Sequence, residues 1–150
     1  MYNVLVLWAP DTAENRRLVD TVARALEQPE VSLLVKAASE ATIMDVNAAD
    51  IVVFGAQKTG TADVPAEYSE LLRIFKGVTL AGRTAGFFSM GTEKATMRLR
   101  KALKETEISQ SEEDPLFADQ KPGSSASVLE WSQKLIAVHR EIQNGRTRNH

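Results

Sequence analysis

Two uninterrupted apolar segments constrain the fold of this chain more than any other feature. Residues 4–8 (VLVLW) and 51–55 (IVVFG) contain no polar side chain and are rich in Val, Ile and aromatic residues. A strand that faces water on one side alternates apolar and polar residues, whereas an unbroken apolar run is typical of a strand covered on both faces of a parallel sheet. The sequence therefore predicts an α/β fold with a parallel sheet between helices.

Helical periodicity and further strand patterns alternate with these two runs. After a cap at Asp11 or Thr12, apolar residues recur at helical spacing to Leu26. Residues 31–35 and 84–88 read as the second and fourth strands, and we place a fifth, edge strand within residues 106–118. A last helix begins at Ser124 or Ser125 and ends at residues 144–145, and residues 145–150 are predicted to be a frayed basic tail.

Length and composition indicate one globular domain, residues 1–150. The absence of Cys excludes disulfides, thiolate catalysis and Cys-based metal sites, and it fits a reducing compartment. The apolar run near the N-terminus is far shorter than a signal core or a membrane span, so we expect a cytoplasmic protein that does not enter a membrane. We also expect a monomer or a weak dimer.

Charge is distributed unevenly, but only mildly. Residues 1–75 carry 6 basic and 11 acidic side chains, and residues 76–150 carry 12 and 9, for a net charge of −2. This asymmetry gives no case for binding to nucleic acid.

The topology predicts where a ligand would bind. Doubly wound sheets bind ligands at the carboxyl ends of their strands. In this chain that edge consists of three loops, at residues 9–15, 56–64 and 89–92.

The chain resembles the short-chain flavodoxins over nearly all of its length. The resemblance rests on the polar turn after the first strand, on residues 50–55 (DIVVFG) before a polar loop, on residues 80–83 (LAGR) before the fourth strand, and on the closing amphipathic helix. It implies a flavodoxin-like, doubly wound sheet of five parallel strands with helices on both faces, in three layers. It also implies a first loop that holds the phosphate of FMN, second and third loops that enclose the flavin ring, and electron transfer with redox partner proteins.

The first loop matches the family motif Ser/Thr-x-Thr-Gly-x-Thr in part. Hydroxyls and exposed backbone N–H groups at a helix N-terminus suit a phosphate dianion. Aligned without gaps, the six motif positions fall on Pro10, Asp11, Thr12, Ala13, Glu14 and Asn15. In a second register, Thr12 takes the last hydroxyl position, Asp11 replaces the Gly, and Trp8 and Pro10 replace the first two hydroxyls. Either register keeps one hydroxyl of three, and Asp11 or Glu14 facing a phosphate would weaken its binding.

The two loops expected to hold the flavin ring also depart from the family, which usually stacks Tyr or Trp on the flavin. The candidate residues are Ala56, Gln57, Lys58, Thr59 and Gly60 in the second loop and Ser89, Met90, Gly91 and Thr92 in the third. None of them is aromatic, and backbone groups are left to bind the ring edge. Met90 either lies on a ring face or packs within the loop. Lys58 either lies over a phosphate or is a solvated lysine.

Other conspicuous side chains have simpler interpretations. Trp8 closes a buried strand, which predicts a core or rim position, and Trp131 lies on the apolar stripe of the last helix, which predicts core. His139 lies beside that stripe and is predicted to be a surface histidine. The helix after the third loop has a basic face, which is either simply solvated or docks an acidic redox partner; its residues are Lys94, Arg98, Lys101 and Lys104.

Motifs of other functional classes are missing from the sequence. It has no Gly-x-Ser-x-Gly elbow, no Walker loop and no Gly-x-Gly-x-x-Gly after the first strand. A response regulator would need a phospho-accepting Asp at the end of the third strand, where this chain has Phe54-Gly55. Two hypotheses remain: an FMN-binding electron carrier with an atypical phosphate loop, rather than a hydrolase or transferase, or a flavodoxin-like domain that has lost FMN and serves as a protein-binding or assembly module.

Overall fold

Parallel strands alternate with helices from β1 to α5. The computed structural model describes residues 1–58, 64–112, 114–117 and 125–148. The strands are β1 (Tyr2–Ala9), β2 (Val31–Ala37), β3 (Ile51–Gln57), β4 (Thr84–Met90), β5 (Ser109–Gln110) and β6 (Leu116–Phe117). The helices are α1 (Ala13–Leu26), α2 (Ile43–Ala48), α3 (Ser69–Phe75), α4 (Lys94–Leu103) and α5 (Ser125–Arg148). Two single 3-10 turns precede helices: Ala38–Glu40 lies before α2 and Ala66–Tyr68 before α3. A third, Lys104–Thr106, follows α4.

One parallel sheet has the order β2-β1-β3-β4-β5, with β6 also paired to β4. At its centre, Val4 of β1 pairs with Ile51 of β3, which pairs in turn with Thr84 of β4. Six successive residues of β3, from Ile51 to Ala56, are buried. The prediction of a doubly wound parallel sheet with fully buried central strands is confirmed.

Each face of the sheet is covered by its own hydrophobic core. On one face, the rings of Phe54 and Phe87 stack with centroids 5.6 Å apart beneath α2, α3 and α4. On the other face, Val53 and Phe88 pack beneath α1 and α5, whose side chains include Trp131. The protein therefore has three layers, and Trp131 is a core residue, as its position on the apolar stripe predicts.

Two contacts fix the end of β3, which leads into the second loop. A Cβ at Gly55 would lie 2.0 Å from Cζ of Phe88, so only glycine leaves room for that ring. On the opposite face, Oη of Tyr68 donates a 2.8 Å hydrogen bond to the carbonyl oxygen of Gly55. Burial raises the pKa of Tyr68 well above its usual value, so the phenol stays protonated and able to donate.

The fifth strand of the sheet is broken into β5 and β6. Ala85 pairs with Gln110 and Ser89 pairs with Leu116, and Phe87 between them pairs with no described residue of the fifth strand. The carboxylate of Asp114 replaces the missing carbonyl, because its Oδ1 accepts the backbone N–H of Phe87 at 3.2 Å. The edge strand predicted within residues 106–118 is therefore two short pieces joined through a side chain.

Asp114 also ties this break to the helices on both faces. Its Oδ1 accepts hydrogen bonds from Oγ of Ser111 at 2.6 Å and from Nε1 of Trp131 in α5 at 3.3 Å. Its Oδ2 forms an ion pair with Arg100 of α4. The guanidinium of Arg100 lies over the ring of Phe87, with Cζ 4.4 Å from the ring centroid. One carboxylate thus connects β4, the break, α4 and α5.

Helix α5 differs from its prediction in two respects. It continues to Arg148 instead of ending at residues 144–145, since a lone glycine such as Gly145 only weakens a helix, by about 1 kcal/mol. His139 is buried, which makes the surface prediction wrong. Its Nδ1 lies 2.9 Å from Oγ1 of Thr84, and its ring packs edge-on against Tyr2, so strands β1 and β4 supply the partners that local sequence does not reveal.

The burial of His139 predicts a pH-dependent stability. Burial lowers the pKa of His139 below its ordinary value of 6.5, with Asp50 opposing the shift. The unfolded chain therefore binds more protons than the folded one as pH falls below about 6.5, and stability is lost in that range by at most about 1.4 kcal/mol per pH unit. Urea unfolding between about pH 7.5 and pH 5 should show a shallower loss for His139→Gln. Identical slopes for the two proteins would contradict this prediction.

Candidate functional site

The three loops predicted to form a ligand site all begin at the same edge of the sheet. Strands β1, β3 and β4 are parallel neighbours, so their carboxyl ends lie side by side. Ala9 pairs with Ala56, and Gln57 pairs with Met90, so the strands end at nearly the same level. The arrangement is the one in which α/β sheets bind ligands.

Thr12 forms the N-cap of α1 and settles the choice between the two predicted caps. Its backbone is extended, and its Oγ1 accepts the N–H of Asn15 at 3.1 Å. The N–H groups of Ala13 and Glu14, in the first turn, have no hydrogen-bond acceptor among the residues that the structure describes. The N-terminus of this 14-residue helix therefore presents free donors together with the hydroxyl of Thr12, a set that suits an anion.

Asn15 has a different role from the hydroxyl expected at its position. It is buried, and its Nδ2 donates to the carbonyl oxygen of Pro10 at 3.0 Å and to Oε1 of Gln57 at 3.1 Å. Its Oδ1 is buried without a hydrogen-bond partner in the described part of the chain. The contact with Pro10 fixes the orientation of the Asn15 amide, because the reverse orientation would place Oδ1 of Asn15 against the carbonyl oxygen of Pro10, and both atoms only accept hydrogen bonds. Asn15 therefore links the first loop to the second through Gln57.

The acidic residues of the first loop are both exposed, and one of them forms an ion pair. Asp11 forms a 3.2 Å ion pair with Arg16, whose Cζ lies 5.9 Å from the ring centroid of Trp8. Glu14 is exposed to solvent. Trp8 itself is buried in the core beneath α1, which is one of the two positions, core or rim, predicted for it. The pairing of Asp11 lessens the repulsion that an anion would meet here.

The second loop is described up to Lys58. Ala56 is buried and Gln57 is half-buried, with its side chain directed toward the first loop. Lys58 is half-buried and forms no ion pair with any described residue. Thr59 and Gly60, also predicted as site residues, lie outside the residues that the structure describes.

Two of the four predicted residues in the third loop use their side chains inside the protein. The hydroxyl of Thr96 donates to the carbonyl oxygen of Glu93 at 3.0 Å, so the 2.6 Å contact between Ser89 and Thr96 must be donated by Ser89. Met90 is fully buried with Phe88 in the core beneath α1 and α5, which favours packing over a place on a ring face. Ser89 and Met90 can therefore meet a ligand only through their backbones.

Gly91 and Thr92 complete the third loop. Gly91 has a φ of +85°, a left-handed conformation that favours glycine, and its N–H donates to the carbonyl oxygen of Phe117 at 2.9 Å. A Cβ at Gly91 would lie 4.0 Å from Nε2 of Gln57, so these two residues are neighbours across the edge. Thr92 is exposed. Gln57 thus adjoins both other loops, a role that no local sequence signal reveals because its partners are distant in the chain.

Comparison with solved structures gives one consistent result. A short-chain flavodoxin associated with a non-canonical PDU bacterial microcompartment matches with a TM-score of 0.81 and 18% identity, over 93% of this chain and 99% of that one. The flavodoxin of Streptococcus pneumonia TIGR4 matches with a TM-score of 0.77 and 16% identity, over 90% of this chain and 98% of that one. The fold of this chain is flavodoxin-like, as its sequence predicts.

The same fold also occurs within longer proteins. Rubredoxin oxygen:oxidoreductase from Desulfovibrio gigas matches with a TM-score of 0.80 and 11% identity, over 94% of this chain but 37% of its own.

No family model matches the sequence, and a search of curated proteins finds no match either. In the described part of the chain, no helix has the length and apolar character needed to cross a bilayer.

Proposed function

We propose that this chain binds FMN at the edge formed by the three loops and transfers electrons, with an atypical phosphate loop. The observation that carries the proposal is the set of free donors at the start of α1, namely the N–H groups of Ala13 and Glu14 beside the hydroxyl of Thr12. This set lies where the resemblance to flavodoxins places the phosphate of FMN. Its chemistry fits that group, because a phosphate dianion accepts hydrogen bonds and gains from a helix N-terminus.

The remaining residues of this edge of the sheet would bind the flavin ring without an aromatic side chain stacked on it. Among the described residues, Nε2 of Gln57 and the backbone around Gly91 are neighbouring polar groups where the second and third loops begin, since a Cβ at Gly91 would lie 4.0 Å from that Nε2. The flavin would supply the redox chemistry, and the protein would bind it, orient it and limit its contact with water. The pairing of Asp11 with Arg16 supports the proposal, since it lowers the electrostatic cost of a phosphate at this loop.

A second candidate function is a cofactor-free domain that binds other proteins. This candidate is favoured because several polar groups of the three loops, which could otherwise bind a flavin, form hydrogen bonds within the protein. The hydroxyl of Ser89 donates to Thr96, the N–H of Gly91 donates to Phe117, and the amide of Asn15 is committed to Pro10 and Gln57. A protein with these internal bonds needs no ligand to satisfy them.

Substitution of Thr12 tests whether the first loop binds the phosphate of FMN. Thr12→Ala should lower stability by about 1 kcal/mol, because the cap of α1 is lost, and should weaken FMN binding about tenfold, because the loop loses its hydroxyl donor. Thr12→Ser keeps both the cap and the donor and serves as the matched control. FMN affinity is measured by quenching of flavin fluorescence, and stability by urea unfolding. An FMN affinity that is the same in all three proteins would show that Thr12 acts only as a cap.

A further inference from the structure

The outer face of α4 carries a basic stripe, made of Lys94, Arg98 and Lys101 of the helix and Lys104 just after it. All four side chains are exposed, and none forms an ion pair with a described residue. Arg100 is not part of the stripe, because it points inward to Asp114. The helix and the turn after it therefore contain one cation with a structural role, Arg100, and four that form no ion pair with a described residue.

The stripe does not stabilise the first half of the helix that carries it. Lys94 opens α4 directly after the N-cap Glu93; the first turn itself contains no acidic residue, and a cation at a helix N-terminus is opposed by the helix dipole. Lys94 and Arg98 are four residues apart and Arg98 and Lys101 three, so like charges lie next to each other on the surface. Only the cations near the end of the helix gain from the dipole. The positions of Lys94 and Arg98 are thus unexplained by the stability of α4.

An apolar side chain lies among these cations. Met97 is 62% exposed, three residues after Lys94 and four before Lys101, and therefore on the same side of the helix. Methionine and arginine are both enriched at protein interfaces, where a flexible apolar side chain adapts to its partner. The stripe therefore combines charge with an apolar contact point.

We propose that the basic stripe docks an acidic surface of a partner protein. The stripe spans about 15 Å, from the rise of a helix over ten residues, and exposed acids bound it, Glu93 at one end and Glu105 and Glu107 at the other. A nucleic-acid backbone or an anionic membrane would extend past these acids and be repelled by them. A compact acidic patch of a protein fits between them. The stripe begins two residues after Thr92, so a docked partner lies beside the loop edge whether or not FMN binds there.

A charge-reversal comparison tests this proposal on the full chain. The probe is a fluorescein-labelled helical peptide with Glu at every third or fourth position, followed by anisotropy at low and at physiological ionic strength. Lys94→Glu, Arg98→Glu and Lys101→Glu together should weaken its binding about tenfold or more. The matched control reverses three exposed cations elsewhere, Arg17, Arg24 and Lys134, and should change binding less than about threefold at the same net charge.

The single variant Lys94→Glu separates docking from folding. It should raise the melting temperature by about 1–3 °C, because it places an acid at the helix N-terminus and four residues before Arg98, while it weakens peptide binding. Equal losses in the stripe variant and the control variant would overturn the proposal. So would stripe-dependent binding of a DNA duplex or of phosphatidylserine vesicles that is tighter than binding of the peptide.

Discussion

Replacement of Asp114 by alanine is expected to lower the free energy of unfolding by about 3–5 kcal/mol. The side chain of Asp114 is 11% exposed, and its carboxylate pairs with Arg100 while it accepts the N–H of Phe87 and two further hydrogen bonds. Its removal leaves a partly buried guanidinium without its anion and a strand N–H without an acceptor. Burial already lowers the pKa of Arg100, a sign that its charge is poorly hydrated in the folded protein.

A double-mutant cycle identifies the source of this loss. Arg100→Met keeps much of the side-chain volume over Phe87 but removes the charge, so Asp114→Ala should cost less in that background, by about 1–3 kcal/mol. Ser111→Ala removes one of the hydrogen bonds to Asp114 and should cost only about 1 kcal/mol. Urea unfolding followed by circular dichroism measures the parent protein, the three single variants and the double variant. A loss below about 1 kcal/mol for Asp114→Ala would show that the break in the fifth strand does not depend on this carboxylate.

Replacement of Ala13 by proline is expected to weaken FMN binding about tenfold or more without unfolding the protein. Ala13 is the first residue of α1, a position where proline is favoured, and Thr12 before it is extended with φ −123° and ψ 157°, as a residue preceding proline requires. The substitution removes one free N–H donor and changes no charge. A hydrogen bond to a charged phosphate is worth about 1.5–3 kcal/mol, which corresponds to about 10–150-fold in affinity.

Riboflavin is the control ligand for Ala13→Pro, because it has the same ring without the phosphate. Its affinity should change little, so the ratio of FMN affinity to riboflavin affinity should fall toward one. The melting temperature should stay within a few degrees of that of the parent protein. Equal losses for the two flavins would mean that the proline ring obstructs the site, and no loss for FMN would mean that the N–H of Ala13 does not meet a phosphate.

The sequence predicts the central part of the fold because that part depends on burial. The unbroken apolar runs of β1 and β3 are typical of strands that are covered on both faces, and they predict the centre of the sheet. In the same way, the apolar stripe of α5 predicts that Trp131 lies in the core. The broken fifth strand is less predictable, since Asp114 acts through partners on β4, α4 and α5 that only the tertiary structure brings together. The burial of His139 is missed for the same reason, because Thr84 lies 55 residues away.

The candidate site was predictable in position but not in chemistry. Strand order alone places the three loops at one edge, and the helix signal alone places a cap at Asp11 or Thr12. The sequence does not show that Asn15 bonds to Gln57, that Asp11 turns to Arg16, or that Ser89 and Met90 direct their side chains into the protein. Each of these depends on which of several polar partners is nearest, and hydrophobic periodicity carries no information about that choice.

The absorbance spectrum of the freshly purified protein, before and after addition of FMN, tests the proposed function most directly. If the donors at the start of α1 hold the phosphate of FMN, the protein is yellow or becomes so with FMN, and it releases free FMN on denaturation. It should also quench flavin fluorescence on titration and bind FMN more tightly than riboflavin. A colourless protein that FMN neither colours nor binds, with no quenching on titration, would contradict the proposal and favour the cofactor-free domain.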